Sequence, residues 1–480
     1  MTPQRSADGR PWLAVAIVYL VFLSLLGGAS RSDELAQLPM RVLAVGVGAL
    51  VLWHNPGSLV REQRWPLAFT AACLALVAVQ LVPLPYPLWS TLPGRTFYAE
   101  IVRTLGLGES WRPLSMAPDL TLDAGLAALP ALAGLLVAAA VPVRDRRLLL
   151  YALLALTLIS VILGYAQVVG GIDSPLRLYR ITNTDAMVGV FANRNHQALL
   201  LALAFPALFA IGSLQRDDAA SARMVQALCF LVGLLLALTI LLLGSRAGVL
   251  LGVAGTTAGL FIAVGVPRRS RRSRGARRLR LLVLGGGTAI GLGVIAAATM
   301  LDRVPAIRRL IGSGSEDEIR IQLFGPMVEA AKAFLPLGAG FGTFDAVFRR
   351  FEPVELLRTS YQNQAHNEPL QLLIEGGLPA VALLAAFLLW WVTQAIRVWR
   401  APRTSGGLTE LLPRLGCAMT GIQLLASLGD YPLRTPLHGV IFAIGCSWML
   451  MERGHVRDTA DGWSSAPRRA SPVAMDSVSA

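Results

Sequence analysis

Apolar runs of about twenty residues recur along this chain and are separated by segments that hold most of its charge. A helix needs about 20 apolar residues to cross the hydrocarbon core of a membrane, so each run predicts a membrane-spanning helix. The predicted spans lie near 11–29, 36–53, 67–85, 124–142, 148–169, 197–213, 224–243, 247–266, 281–300, 369–395, 412–428 and 436–452. With 54% hydrophobic and 15% charged residues, the composition is too apolar for an ordinary soluble domain. We therefore predict an all-α, polytopic membrane helix bundle with about 12 transmembrane helices.

Arginine supplies almost all of the positive charge, since Lys332 is the one lysine among 43 basic residues. A net charge of +14 on a soluble fold would suggest nucleic-acid binding. Here the arginines lie between apolar runs, where basic residues mark the cytoplasmic side, so no nucleic-acid partner is expected. The loop 268–280 carries eight arginines in thirteen residues and is predicted to be cytoplasmic, facing anionic membrane lipids. Twelve spans then put both termini in the cytoplasm.

Residues 1–452 are predicted to form one transmembrane domain, followed by a disordered cytoplasmic tail at 453–480. On the opposite, external side, residues 86–123 mix aromatic residues with arginines and predict an amphipathic helix in the membrane interface. The external loop 301–368 is the one sizeable water-exposed portion. All four cysteines lie inside apolar runs without metal-ligand spacing, so no disulfide, metal or other cofactor is predicted.

The one charged residue well inside a predicted span is Glu375. Carboxylates are costly at membrane depth and usually functional there. Asn367 is a plausible N-cap for this span, and Asn367, Gln371 and Glu375 are spaced four residues apart, so they share one helix face that descends about 12 Å into the membrane. Such a stripe predicts one wall of a site, while a glutamate with a packing role is the alternative.

Other polar clusters are predicted on the same external face, and each has a structural alternative. Asn193, Arg194, Asn195 and His196 precede the sixth span and could form only a helix cap. Arg246 follows the tight turn at Gly244 and could be a snorkelling interfacial arginine.

Two further clusters complete this external set. A glycine-rich stretch holds Gly340 and Gly342 and could be a simple tight turn; it is not a P-loop, because no Gly-Lys-Ser/Thr follows. Asp430 and Arg434 join the last two spans and could form a local ion pair.

These segments resemble the O-antigen ligase and O-antigen polymerase superfamily. The resemblance rests on Arg112–Asp119, Gly189–His196, Ser245-Arg246, Arg320 with Pro336–Phe344, and Ala365-His366-Asn367 through Glu375-Gly-Gly-Leu. It implies a GT-C-like bacterial inner-membrane glycosyltransferase that takes a glycan from undecaprenyl diphosphate on the periplasmic side. The implied partners are an undecaprenyl-diphosphate-linked oligosaccharide, a glycan or lipid A-core acceptor, and a polysaccharide chain-length regulator.

The resemblance also implies roles for particular residues. Negative charge develops on the diphosphate as it leaves, so arginines that fork onto phosphate oxygens would stabilise it. Arg246 and Arg320 are the first candidates, with Arg194 and Arg434 behind them. His366 is the candidate base for the acceptor hydroxyl, and binding the diphosphate as a cation is its alternative role. Direct displacement by one acceptor would invert the anomeric configuration.

Three readings of the function remain open at the level of sequence. A polymerase of O-antigen or exopolysaccharide is favoured slightly over a ligase that transfers glycan to lipid A core or to protein. A twelve-span transporter or flippase is the competitor from another class, although such proteins usually show paired half-repeats and a midplane site. A scaffold without enzymatic activity would explain the composition but not the His-Asn-x(7)-Glu helix.

Overall fold

The computed structural model describes residues 10–31, 35–54, 57–108, 110–214, 218–264, 315–357, 362–403 and 407–451. Its α-helices are α1 Arg10–Leu26, α2 Gln37–His54, α3 Ser58–Glu62, α4 Arg64–Gln80, α5 Tyr86–Thr91, α6 Thr96–Thr104, α7 Pro118–Leu126, α8 Leu129–Ala140, α9 Arg146–Val169, α10 Arg194–Ser213, α11 Ala219–Leu243, α12 Arg246–Val264, α13 Ser315–Phe334, α14 Phe344–Phe348, α15 Glu368–Arg400, α16 Leu408–Ala426 and α17 Pro436–Met449. Two short 3₁₀ turns lie at Val354–Leu356 and Pro432–Arg434. Strands β1 Pro83–Leu84 and β2 Arg112–Pro113 pair antiparallel, with Pro83 opposite Pro113.

The prediction of a multi-pass helical membrane protein is confirmed in its main point, since the described residues are mostly helical and hold almost no sheet. Among the described residues, seven spans are long and apolar enough to cross a membrane: Gln37–His54, Pro118–Ala140, Arg146–Val169, Arg194–Ser213, Ala219–Leu243, Arg246–Val264 and Glu368–Arg400. Three shorter helices, at Pro11–Leu26, Arg64–Gln80 and Pro436–Met449, are also apolar. The count of twelve and the likeness to GT-C enzymes stay predictions. The predicted span 281–300, the loop 268–280, residues 301–314 and the tail 453–480 lie outside the described residues.

Two predicted helices are interrupted in the structure. The span predicted over 124–142 is divided between α7 and α8, because Pro130 has no N–H to donate to the carbonyl of Leu126. The sequence predicts an amphipathic helix in the external segment 86–123, but the segment holds α5, α6, strand β2 and the start of α7. Gly94 separates α5 from α6 with a φ of +77°, a conformation outside the helical region. The placement of this segment in the membrane interface stays a prediction.

Helix α10 lies at the centre of the bundle and packs against α9, α11, α12 and α16. Most of its side chains are buried. Its closest neighbour is α12, where Gly255 faces the backbone carbonyl of Ala202; a Cβ at Gly255 would lie only 2.4 Å from that oxygen. Small residues of this kind let helix backbones approach closely in membranes. The outer face of α11 instead exposes Leu228, Phe230 and Leu231, as expected of a surface in contact with lipid.

One end of the bundle gathers the ends of six helices. There the end of α1 meets the segment that precedes α10 and the first turn of α17, since Gly28 O accepts from Ala192 N and Gly27 O accepts from Leu437 N. The starts of α12 and α15 and the end of α16 reach the same place. A second, smaller core made by α13, α14 and the start of α15 packs there as well. We call this end of the bundle the polar end.

Candidate functional site

The start of α15 holds His366 in an unusual backbone conformation. Among the described residues, His366 is the one residue other than glycine with a positive φ, +50°. Backbone hydrogen bonds hold the chain before and after His366. Gln371 Oε1 accepts from Ala365 N at 2.9 Å, and Ser427 O accepts from Glu368 N at 2.9 Å. Left-handed conformations of non-glycine residues cost energy, and they persist where surrounding contacts determine them, commonly at functional sites.

Asn367 is the N-cap of α15, as predicted. Its side-chain oxygen accepts from Leu370 N at 2.9 Å, and its side-chain nitrogen donates to Leu428 O at 3.0 Å. The cap therefore joins the start of α15 to the segment between α16 and α17. Because both ends of the Asn367 amide are occupied, its main contribution in this structure is to hold these two segments together.

His366 and Asp430 form the central pair of the site. His366 Nδ1 lies 3.1 Å from Asp430 Oδ1, and both side chains are largely buried. A carboxylate can only accept, so Nδ1 is the donor and Nε2 of the neutral ring carries the lone pair. No described residue forms a hydrogen bond with Nε2. This arrangement is the one that orients a histidine as a base.

Asp430 also connects α15 to α10 and α12. Its Oδ2 accepts from Asn195 Nδ2 at 2.9 Å, and Asn195 Oδ1 accepts from Ser245 Oγ at 2.8 Å. Asn195 lies in the first turn of α10, where Asn193 is the N-cap and accepts from Asn195 N. Ser245 precedes α12 and accepts from Gly248 N at 2.9 Å. The starts of α10 and α12, capped by Asn193 and Ser245, are thus connected to Asp430 through Asn195.

Burial alone would raise the pKa of Asp430. The hydrogen bond from His366, the charges that His366 and His196 carry once protonated in acid, and the charge of Arg320 outweigh it, so the pKa lies well below its ordinary value. Burial raises the pKa of the neighbouring Tyr431 to about 12, with the Asp430 charge acting in the same direction. At neutral pH the site therefore holds an ionised aspartate beside a neutral tyrosine.

A second polar chain runs along the predicted stripe of α15. Gln371 Nε2 donates to Glu375 Oε1 at 2.9 Å, which confirms that the two side chains share a face. Glu375 is fully buried, and its Oε2 accepts from Arg434 Nη2 at 3.0 Å. Arg434 therefore pairs with Glu375, and the alternative of a local ion pair with Asp430 is wrong. A buried carboxylate needs such a partner, because an unpaired charge in this environment is strongly unfavourable.

The glycine-rich stretch that follows α13 packs against a break in α15. Gly377 has φ +60° and ψ −154°, and Pro379 has no N–H for the Glu375 carbonyl. The freed carbonyls of Ile374 and Glu375 accept from Ala339 N and Gly340 N at 2.9 and 2.8 Å.

Gly340 and Gly342 adopt φ values of +115° and +77°. A Cβ on Gly340 would lie 2.2 Å from Ser115 Oγ, and one on Gly342 would lie 2.7 Å from Leu120 O. The stretch is therefore more than a simple tight turn, since it binds α15 beside Glu375 and requires glycine for close backbone contact.

Several arginines lie in the segments that meet at the His366–Asp430 pair. Arg246 is the first residue of α12, directly after Ser245, and is half-buried. Arg320 lies in α13, also half-buried, and its charge acts on both Asp430 and Tyr431. Arg194 begins α10 and lies 3.7 Å from the exposed carboxylate of Asp185. Arg31, whose charge also reaches Tyr431, belongs to the same region and was not predicted.

His196 is the predicted site residue that lies deepest. It is 2% exposed, and its Nδ1 lies 3.0 Å from Thr435 Oγ1. Its ring meets the ring of Tyr431 edge to face, with centroids 5.3 Å apart. In this structure His196 therefore supports the site from below. Its predicted contact with substrate stays a prediction, as do the substrate contacts of the other residues named above.

The family comparison covers much of this site. The family model described as O-antigen ligase matches residues 230–385. The match supports placing this stretch in the O-antigen ligase and polymerase superfamily. The resemblance stated from the sequence motifs is thereby confirmed. Together with the membrane-type helices, the match supports a glycan-processing membrane protein of ligase or polymerase type. No curated protein matches the chain.

The O-antigen ligase-type stretch contains Arg246, Arg320, the glycine-rich stretch and the polar face of α15. Asn195, Asp430 and Arg434 lie outside it and reach the site through the hydrogen bonds described above. The sequence analysis did not predict the contact of Ser245 with Asn195, nor the presence of Tyr431 and Gln80 at the site. Gln80 Nε2 donates to Glu375 O, and Gln80 Oε1 accepts from Phe341 N. Within the part of the chain that the structure describes, no three His, Cys, Asp or Glu side chains group as a metal site would require.

Proposed function

We propose that this protein is a bacterial inner-membrane glycosyltransferase that acts at the periplasmic face. It transfers a glycan from undecaprenyl diphosphate to an acceptor hydroxyl without a metal. The observation that carries this proposal is the His366–Asp430 pair, with arginines in the segments that meet at it, at the end of the bundle where the family's motifs meet. O-antigen or exopolysaccharide polymerisation is the reaction we favour, with ligation to lipid A core or to protein as the alternative.

His366 acts as the base in this proposal. Its Nδ1 is held by Asp430, so Nε2 is available to take the proton of the acceptor hydroxyl as the oxygen attacks the anomeric carbon. The bond from that carbon to the diphosphate oxygen breaks, and the diphosphate leaves with the bonding electrons. Attack opposite the leaving group inverts the anomeric configuration. Asp430 stabilises the imidazolium that forms, because its low pKa keeps it ionised.

Arg246 and Arg320 bind the leaving diphosphate in this proposal. Negative charge builds up on that group in the transition state, and guanidinium groups in a partly dry site stabilise it strongly. Arg194 and Arg434 stand at the margin of the same region. The ion pair with the buried Glu375 fixes Arg434, so Glu375 orients an arginine and does not itself contact the reacting atoms.

The test is transfer of a lipid-linked oligosaccharide by the purified full-length protein. His366→Ala, Arg246→Ala and Arg320→Ala should each lower the rate at least about 100-fold, while insertion and abundance in the membrane stay unchanged. His54→Ala and Arg349→Ala are matched controls, since both side chains are exposed and neither is among the site residues described above. Near wild-type transfer by His366→Ala would contradict its role as the base.

A separate experiment distinguishes polymerase from ligase. Deletion of the gene from its own bacterium, followed by electrophoresis of the lipopolysaccharide, gives different patterns for the two activities. Core capped by a single repeat is expected for loss of a polymerase. Naked core with accumulated lipid-linked polymer would show that the protein is a ligase. In the polymerase case a polysaccharide chain-length regulator is the expected protein partner.

A further inference from the structure

One hydrogen bond does not fix the orientation of the His366 ring. The contact between Nδ1 and Asp430 Oδ1 leaves the imidazole free to turn about the line that joins these two atoms. Any such turn moves Nε2 sideways, away from the acceptor hydroxyl. A base must stay within hydrogen-bonding distance of the proton that it removes, so a second contact is needed to hold the ring.

The ring of Tyr431 provides this second contact. Its centroid lies 4.8 Å from that of His366, and the two planes meet at 62°. Edge-to-face packing at this distance is a favoured geometry for aromatic rings. Tyr431 also follows Asp430 directly in the chain, and its backbone N–H donates to Asp430 Oδ1 at 3.0 Å. The same oxygen accepts from His366, so one dipeptide contacts the imidazole at its nitrogen and on its ring.

Tyr431 is itself held rigidly. It is 7% exposed, and the side chain of Asn193, the N-cap of α10, acts on its hydroxyl electrostatically. Beneath it lies His196, fixed by Thr435, and then His438, whose Nε2 donates to His196 O at 2.9 Å. His438 stacks on Phe191 with centroids 4.7 Å apart.

These rings form a continuous column that descends from His366 into the bundle. Because the Tyr431 ring is buried and packs against His196 on its far side, it is held in place beside His366. Tyr431 therefore differs from a loop side chain that contacts His366 but can move away from it.

We propose that Tyr431 is the positioning residue that keeps the His366 ring aimed at the acceptor. This inference rests on the proposed role of His366 as the base. Tyr431 does not contact the substrate in this role and acts through His366. The arginines that bind the diphosphate belong to other helices, so loss of the Tyr431 ring should slow the chemical step and leave donor binding unchanged. A misplacement of about 1 Å can cost on the order of 100-fold in rate.

The test compares Tyr431→Leu and Tyr431→Phe in the purified full-length protein with a lipid-linked oligosaccharide donor. Tyr431→Leu should lower kcat about 10- to 100-fold with KM for the donor unchanged. Tyr431→Phe keeps the ring and should retain most of the wild-type kcat. Tyr431→Met, which fills a similar space with a flexible chain, serves as the second ring-deleted variant if Tyr431→Leu does not fold.

Tyr19→Leu is the matched control. Tyr19 is also buried and hydrogen-bonded, through its hydroxyl to Pro130 O at 2.9 Å, but it lies in α1 away from His366. It should lower the unfolding temperature without lowering kcat. A Tyr431→Phe variant as slow as Tyr431→Leu, or a change in KM without a change in kcat, would overturn the inference. The proposed role of His366 as the base is tested separately: it would be contradicted if His366→Ala remained active, whatever the result for the Tyr431 variants.

Discussion

Asp430 shares its carboxylate among three donors: His366 Nδ1, Asn195 Nδ2 and the backbone N–H of Tyr431. These donors come from α10 and from the segments before α15 and α17. The ionised form is favoured in the folded protein despite burial, because every donor and the nearby positive charge favour it. A single side chain therefore contributes both to the proposed chemistry and to the packing of three helix ends.

This ionisation predicts how stability depends on pH. Since the folded pKa of Asp430 is lowered below the unfolded value near 4, the ionised carboxylate stabilises the fold fully above that pH. The contribution is lost as the pH falls below it towards the folded pKa. The difference in unfolding temperature between wild type and Asp430→Asn should be constant from about pH 7 to 5 and narrow below about pH 4.

Thermal unfolding of the purified protein in detergent at a series of pH values measures this difference. Asp173→Asn is the control, because this side chain is exposed at the polar end, and it should not change the unfolding temperature at any pH. A difference for Asp430→Asn that widens in acid would contradict the assignment of an ionised Asp430.

Individual site residues could be predicted where the chemistry or the spacing is local. The cap at Asn367 and the contact between Gln371 and Glu375 follow from residue type and helical spacing, and both are confirmed. The partner of Arg434 could not be predicted, because Glu375 is distant in sequence and Asp430 is close. Tyr431 carried no signal at all, since a tyrosine beside a membrane span is common and only the fold brings it to His366.

At the scale of elements, the break in α15 and the glycine-rich stretch form one unit. The sequence predicts the span at 369–395 and the glycines at 340 and 342 separately. It does not predict that the carbonyls freed at Pro379 are bound by the amides of the stretch. Hydropathy reports only how apolar a segment is, so it cannot reveal a break in the helix within a predicted span. The contact determines where Glu375 lies relative to Phe344, whose amide reaches Glu375 Oε1 at 3.3 Å.

Gly377→Ala should therefore be strongly destabilising. The φ of +60° disfavours any side chain, and the new Cβ would lie 2.2 Å from Pro336 O. We expect a loss of about 2 kcal/mol or more, measured as a fall in unfolding temperature, together with reduced glycan transfer. Gly325→Ala is the control, because its Cβ meets nothing within 4 Å and lies in a helix, where alanine is favoured. Equal effects of the two changes would contradict this account of the break.

At the scale of the whole molecule, the class of fold follows from the sequence. Repeated apolar runs predict a helical membrane bundle because backbone polar groups must be satisfied within the membrane. The position of the site at one end also follows from where the polar clusters fall between spans. Helix boundaries and the way α10 becomes the central helix do not, since they depend on close packing between distant glycines such as Gly255 and the backbone of α10.

The orientation in the membrane remains a prediction and can be tested with two cysteines. Asp173→Cys lies beyond the end of α9 at the polar end, and Ala220→Cys lies at the start of α11 at the opposite end; both positions are exposed. In a chain without its native cysteines, an impermeant thiol reagent added to intact spheroplasts should label the first position and not the second. Permeabilised cells should label both. Labelling of Ala220→Cys alone would place the polar end in the cytoplasm.

The contacts of His366 with Asp430 and of Glu375 with Arg434 join the same two chain segments at two points. The first segment is the start of α15 with the residues before it, and the second is the connection between α16 and α17. The two contacts are nine positions apart on the first segment and four positions apart on the second. Loops usually tolerate gain or loss of residues during evolution. Here an insertion between Asp430 and Arg434 would break one of the two contacts unless the first segment changed in length as well. Related chains that share this site should drift in length elsewhere and keep both spacings, so the pair of spacings can serve to recognise them when overall identity has been lost.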